Sequence, residues 1–286
     1  MTQRLLSFGH GYCARALTRL LHQSGGWSVT GTTRTPEKTR ALAQDGVAPV
    51  LWPGTDMSAL VAQASHVLIS AAPGAEGDPV LKDCRGAFET ARPAWIGYLS
   101  TTGVYGDHQG GWVDEETPLH PSTKRGQQRV EAEAAWQQLA AEYDLPLHIF
   151  RLAGIYGPGR GPFAKVRAGT ARRILKQDQV FSRTHVEDIA QVLTASIAQP
   201  RPGAVYNVCD NDPAPPEDVI AHAAELLGLP LPPSENFETA EMTAMARSFY
   251  SESKKVSNAR IKDELGVVLK YPDYKVGLAA LLVAKD

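Results

Sequence analysis

Long apolar runs are missing from this chain of 286 residues. None approaches the ~20 consecutive apolar residues that a membrane-spanning helix needs, so no membrane partner is expected. Near the amino terminus, polar Ser7, Gly9 and His10 cut the apolar stretch short, and no signal peptide is expected. Cysteine is scarce. Cys13, Cys84 and Cys209 are widely spaced, with no metal-ligand pattern and no disulfide framework, which suits a reducing cytoplasm and predicts no metal site. Charge of one sign is also lacking. The 29 Lys and Arg against 31 Asp and Glu leave a net charge of −2, which gives no overall pull toward nucleic acid or an anionic membrane. Internal repeats and low-complexity linkers are absent. What is present is 43% hydrophobic and 21% charged residues, ordinary for a globular chain with a substantial core.

The opening stretch, Arg4 to Leu21, reads as a buried strand, a glycine turn and a helix. Gly9, Gly11 and Ala14 fall in the order G-x-G-x-x-A. The first glycine permits a sharp turn, the second lets a pyrophosphate approach the backbone, and the alanine lets helix and strand pack closely. The helix start adds free N–H groups and a positive dipole end. Cofactor contacts are therefore expected at Gly9, His10, Gly11, Tyr12 and Cys13. Cys13 itself reads as a small buried filler rather than a redox group.

Strand and helix signals then alternate. Strands are predicted at 28–33, 48–52, 66–72, 95–100, 147–152 and 205–208. Helices are predicted at 36–44 after Thr35, after Asp56, at 79–91, at 122–143 and from Pro216 to about Leu227. This alternation implies a Rossmann-type α/β fold, a doubly wound parallel sheet with right-handed crossovers. The sheet core is expected over 1–155, with 177–210 returning to it. A small C-terminal substrate lobe is expected from 156–176 and 211–286.

The end of the second strand reads Thr32-Thr33-Arg34-Thr35, with no acid until Glu37. An NAD-binding chain usually places Asp or Glu there for the ribose 2′-hydroxyl. Thr33 and Arg34 suit a 2′-phosphate instead, so NADP is favoured over NAD; otherwise Arg34 is a solvated loop charge. Ser70, Ala71 and Ala72 are small residues at the carboxyl edge of the fourth strand, with room for ribose or adenine. Phe163 to Lys176 holds five cations and no acid, which reads either as a surface for an anionic ligand or as a solvated helix face. Thr184 with Glu187 three residues on reads as a capping box.

Five motifs follow one another: Gly9-x-Gly11-x-x-Ala14, Tyr98-Leu-Ser-Thr-Thr-Gly-Val-Tyr-Gly-Asp107, Phe150-Arg-Leu-Ala-Gly-Ile-Tyr-Gly-Pro-Gly159, Arg183-Thr-His-Val-Glu-Asp188 and Val205-Tyr-Asn-Val208. In this order they resemble the extended short-chain dehydrogenase/reductases, which include the NAD(P)-dependent epimerase/dehydratases of nucleotide sugars. The resemblance covers nearly the whole chain. It implies a Ser/Thr, a Tyr and a Lys as the catalytic set, and places the Ser/Thr at Thr101, beside Ser100 and Thr102. The tyrosine and lysine belong in a Tyr-Gly-x-x-Lys-x-x-Ala-Glu pattern, where this chain reads Arg125-Gly-Gln-Gln-Arg129-Val-Glu-Ala-Glu133. Both are replaced by arginine. A guanidinium, with a pKa above ~12, cannot cycle a proton near neutrality. The chain therefore resembles an atypical member.

Tyr105 is the candidate replacement for the proton carrier. Thr101 and Tyr105 are the expected catalytic residues. Ser100, Arg129, Leu152 and Ala153 are expected beside the cofactor. Thr102, Arg125, Tyr156, Arg160, Arg183, Arg247 and Tyr250 are expected beside the substrate, although for Arg125, Arg129, Tyr156, Arg160, Arg183, Arg247 and Tyr250 a plain surface or packing role is open. His185 reads as a hydrogen-bonding residue rather than a reactant. Two functions follow: an NADP-dependent oxidoreductase or epimerase-like enzyme on a small polar, anionic substrate, or a catalytically silent NADP(H)-binding sensor. The resemblance also implies a homodimer through the helices near 79–91 and 122–143.

Overall fold

The computed structural model describes residues 2–283, apart from the Met245 side chain. The expected spans 1–155 and 211–286 thus each include terminal positions outside the described residues. The first half alternates as predicted: β1 (Gln3–Phe8), α1 (Tyr12–Ser24), β2 (Trp27–Thr33), α2 (Pro36–Gln44), β3 (Ala48–Leu51), α3 (Ser58–Gln63), β4 (His66–Ile69), α4 (Pro79–Thr90) and β5 (Trp95–Thr101). A two-residue β6 (Trp112–Val113), α5 (Lys124–Tyr143) and β7 (Leu147–Leu152) follow. The remainder comprises β8 (Gly154–Tyr156), α6 (Phe163–Arg167), β9 (Arg173–Leu175), β10 (Arg183–His185), α7 (Val186–Ala198), β11 (Val205–Val208), α8 (Pro216–Leu226), β12 (Ser234–Asn236), α9 (Ala244–Phe249), β13 (Lys255–Val256), α10 (Ala259–Leu265) and α11 (Tyr274–Val283). None of these helices is long and apolar enough to cross a membrane.

Seven strands form one parallel sheet in the order β11-β7-β5-β4-β1-β2-β3. The chain order reverses at β1, which pairs with both β2 and β4. That reversal opens a crevice at the carboxyl ends of the strands, where ligands of such sheets bind. Every residue of β4 and β7 is buried, as in a sheet covered on both faces, although β7 carries His148 and Arg151 among its apolar residues. One face packs α1 and α7 around Leu17, Leu21, Ile189 and Leu193. The other packs α4 and α5 around Val80, Phe88, Trp136 and Leu139. A separate cluster joins Tyr156, Phe163, Ala223, Tyr274 and Leu278 from the segments after β7 and β11.

Several local expectations are corrected. β4 ends at Ile69, so Ser70 to Ala72 form an irregular exit. Thr35 precedes α2, but its side chain makes no capping bond. The capping box at Thr184 does not form. Thr184 is taken into β10, opposite Ile155, and the α7 cap is His185, whose Nδ1 accepts from the Glu187 N–H at 3.2 Å. The basic stretch 163–176 is not one helix face. It splits into α6 and β9, and three of its five cations are used internally: Arg172 pairs with Glu235 at 2.8 Å, Arg173 donates to the Pro232 carbonyl at 2.9 Å, and Lys176 donates to the Tyr250 carbonyl, while Lys165 and Arg167 are exposed.

Candidate functional site

The turn after β1 is held by backbone geometry. Gly9 has φ +76°, and a Cβ there would lie 2.9 Å from the Ala71 nitrogen. Its N–H donates to the Thr32 hydroxyl at 2.8 Å, which ties the turn to β2. Gly11 differs. It has an ordinary negative φ, and a Cβ there would meet only the Gly9 carbonyl, at 3.8 Å. α1 then begins with no capping side chain and no acidic residue in its first turn, so its positive end is uncompensated. Ala14 is fully buried against the sheet.

The other residues of the turn face elsewhere than expected. The His10 ring lies over Gly31, where a Cβ would come within 2.7 Å of it. A glycine in mid-strand was the available signal for this close approach. Neither ring nitrogen has a hydrogen-bond partner among the described residues, and burial together with Arg15 lowers the pKa to about 4. The Tyr12 hydroxyl donates to the Pro158 carbonyl at 2.9 Å, and Arg160 lies over its ring at 5.9 Å. Cys13 is buried, and desolvation raises its thiol to about 11, so it is not a nucleophile at neutral pH.

Beside this turn opens a cavity of about 950 Å³. Of the expected cofactor positions, Cys13, Ser70, Ala72, Ser100, Arg129, Leu152 and Ala153 line it, whereas Gly9, His10, Gly11, Tyr12, Ala71, Thr33 and Arg34 do not. Thr33 is buried at the end of β2; Arg34, just beyond it, is exposed and makes no hydrogen bond or ion pair with the described residues. Arg129 lines the cavity with its Nη1 donating to the Leu99 carbonyl at 2.6 Å and the Tyr98 hydroxyl at 3.1 Å. The neighbouring helix position, Arg125, is exposed and also lines the cavity.

Thr101 stands at the end of β5, where its hydroxyl accepts from the Gly103 N–H at 3.2 Å and starts a 3₁₀ turn over Thr102–Tyr105. Thr101 and Thr102 both line the cavity. Tyr105 does not, and its catalytic assignment is corrected. The turn carries it under the sheet edge, where it is 0% exposed; its hydroxyl donates to Asn207 Oδ1 at 2.7 Å and accepts from Arg151 at 2.9 Å. Burial raises its pKa further from neutrality. It belongs to a buried polar chain: the Ser100 hydroxyl donates to Glu133, and Glu133 accepts two bonds from Arg151, the shorter at 2.8 Å.

The substrate-side candidates divide. Tyr156, Arg160 and Arg183 line the cavity. Tyr156 is buried, and burial raises its pKa well out of the working range. Arg183 donates to the Phe181 and Ala214 carbonyls at 2.9 and 3.0 Å. Arg247 and Tyr250 lie outside the cavity wall. Arg247 caps the Phe237 ring at 4.8 Å and donates to the Ala240 carbonyl, and Tyr250 packs between Phe181 and Phe237. Their neighbours Ser248 and Phe249 line the cavity instead. Sequence reasoning also missed Glu252 and Lys254, a cavity-lining ion pair at 2.6 Å that no local pattern announces.

Burial makes three histidines acid-sensitive. His10, His66 and His185 are each held down to about 4, chiefly by desolvation. Unfolding returns them to about 6.5. Between those values the unfolded chain binds protons that the folded chain refuses, so stability is lost as pH falls from 6.5 toward 4. Asp210, which burial raises to about 8, works oppositely: its contribution is lost as pH rises toward that value. The His66 ring contacts Trp27 and Trp95, at 4.8 and 6.5 Å between centroids. His66→Phe is expected to flatten the acid-side loss by about one proton, ~1.4 kcal/mol per pH unit. Denaturant titrations between pH 6.5 and 4.5 measure this, and an unchanged slope contradicts it.

Known proteins match this arrangement. The family model of the NAD dependent epimerase/dehydratase family matches residues 86–209. Protein YeeZ of Escherichia coli K12 is 30% identical over 263 residues, covering 87% of this chain and 89% of YeeZ. A solved structure of a conserved protein of unknown function from Silicibacter pomeroyi DSS is 58% identical, with a TM-score of 0.94 over 99% of both chains. The UDP-glucuronic acid 4-epimerase of Bacillus cereus, solved with NAD, shares the fold at a TM-score of 0.79 and 17% identity, over 97% of this chain and 95% of that one. With a curated relative aligned along most of its length, and the parallel sheet and glycine turn in place, the chain belongs to the NAD dependent epimerase/dehydratase family, within the extended short-chain dehydrogenase/reductases.

Proposed function

We propose that this chain binds NADP(H) over the Gly9–Gly11 turn and carries out reductase- or epimerase-type chemistry on a small anionic substrate in the adjoining cavity. The observation that carries this reading is the contrast between the two glycines. Gly9 is required by the fold's own backbone, whereas nothing in the fold crowds Gly11. A Cβ at Gly11 would point to where a ligand approaches the start of α1, and there an uncompensated dipole favours a pyrophosphate. Ser70, Ala72, Leu152 and Ala153 would line the ribose and nicotinamide, and Arg129 would donate to ribose hydroxyls. When bound, the nicotinamide supplies hydride transfer.

The chain's own residues supply the rest. Thr101 orients the reacting oxygen of the substrate. With Tyr105 buried and arginine at 125 and 129, the proton comes from water in the cavity rather than from a phenol. Arg125, Arg129, Arg160, Arg183 and Lys254 line the cavity with Glu252 as the opposing acid, which favours an anionic substrate.

Arg34 is assigned to the ribose 2′-phosphate because it is exposed and unengaged at the end of β2. Arg34→Ala is expected to weaken NADPH binding about tenfold, in line with the loss of one charge-assisted contact, and to leave NADH binding unchanged. Fluorescence titrations with both coenzymes test the proposal. Equal loss for both would remove Arg34 from the 2′-phosphate, and no affinity for either would end the coenzyme reading.

A further inference from the structure

The half of the cavity formed by the C-terminal segments has a chemistry of its own. Its wall includes Val180, Phe181, Val219, Phe249, Tyr274 and Leu278, drawn from the loop before β10, α8, α9 and α11. Phe249 is 60% exposed at this wall, a large ring left in water beside a cavity. Several of the polar groups nearby are already committed to the protein. The Ser182 hydroxyl accepts from the Val256 N–H at 3.0 Å, and Arg183 is bonded to two backbone carbonyls. Glu252 accepts from the Ser122 hydroxyl at 2.5 Å and from Lys254. A sugar ring with several hydroxyls would lose its water partners here and gain few in return.

One donor remains. The buried Lys254 ammonium has three N–H groups. One donates to the Gly106 carbonyl and one to Glu252, both at 2.6 Å. The third has no partner among the described residues, and Lys254 lines the cavity. The Gly106 contact fastens it to the loop that continues the Thr101–Tyr105 turn, so the ammonium is positioned relative to Thr101. Because Glu252 already balances its charge, one remaining N–H suits a singly charged carboxylate better than a doubly charged phosphate.

We propose that this half of the cavity takes a carboxylic acid with an apolar body, aryl or alkyl, rather than a nucleotide sugar, and that Lys254 holds the carboxylate while Phe181, Phe249 and Leu278 cover the body. This rests on reading the cavity as a joint coenzyme and substrate site, but it makes a claim about ligand class that stands apart from the coenzyme.

Calorimetric titration of the full chain, bare and saturated with NADP+, tests it with 3-phenylpropanoate, its neutral amide 3-phenylpropanamide, and UDP-glucose. The acid is expected to bind at least about tenfold more tightly than either other probe. Phe249→Ser, a change at an exposed ring, is expected to weaken the acid about tenfold. The double variant Glu252→Gln/Lys254→Met, which avoids stranding a partly buried carboxylate, is expected to erase the preference of acid over amide. UDP-glucose binding as tightly as the acid, no binding of the acid, or a preference that survives the double variant would each overturn the proposal. Loss of NADP+ affinity with acid binding intact on the bare chain would strike the coenzyme reading alone and support this one.

Discussion

Glu133→Ala is expected to lower the unfolding free energy by about 3–5 kcal/mol, the range for breaking one side of a buried ion pair. Glu133 is 1% exposed and Arg151 5%. Arg151 Nε and Nη2 both donate to Glu133, Nη1 donates to Tyr105, and Tyr105 passes the chain on to Asn207. Removing the carboxylate strands a guanidinium that cannot neutralise itself, and it frees the Ser100 hydroxyl in the cavity wall. The same change made together with Arg151→Met is expected to recover much of the loss, since two apolar side chains leave no orphaned charge. Equilibrium unfolding in guanidinium chloride separates the cases. A Glu133→Ala loss below about 1 kcal/mol would mean that water reaches Arg151 and that the network is not sealed.

How much of this was readable beforehand depends on the distance over which each feature is determined. The β1 turn, β4, β5 and β7 were legible because strand burial and the glycine order are local. The start of α4 was legible at Pro79, a residue preset for a first helical position, whereas its cap Asp78, which accepts from the Val80 and Leu81 N–H groups, was not singled out. Thr184 was misread because two neighbouring residues could each cap α7, and pairing of β10 with β8 withdrew one of them. Tyr105 was misread for a similar reason. Its place after β5 suggests access to the site, but the partners that turn it inward, Arg151 and Asn207, lie 46 and 102 residues away in the chain. The cations at 172 and 173 looked free because Glu235 and the Pro232 carbonyl lie about sixty residues on. Lys254 sits in a stretch with no motif, and only the folded cavity gives it a meaning.

The paired variants Gly9→Val and Gly11→Val are expected to part company, and the separation decides whether the opening turn is built for a ligand. At Gly9 the positive φ and the 2.9 Å approach to the Ala71 nitrogen oppose any side chain, and the obstacle is backbone that cannot rotate away. Strain of about 1–3 kcal/mol is expected, with displacement of the Ser70–Ala72 exit and a fall in melting temperature before any coenzyme is added. At Gly11 an added Cβ meets nothing closer than the Gly9 carbonyl, at 3.8 Å. The bare protein should therefore keep its stability to within about 1 kcal/mol. Its affinity for NADPH should nevertheless fall on the order of a hundredfold, because the isopropyl group would occupy the position through which a pyrophosphate reaches the first turn of α1. Thermal unfolding of the bare variants, followed by NADPH titration, reads the two effects independently. If Gly11→Val bound NADPH like the parent, the turn would be a packing device, and the coenzyme would have to be sought elsewhere on the molecule.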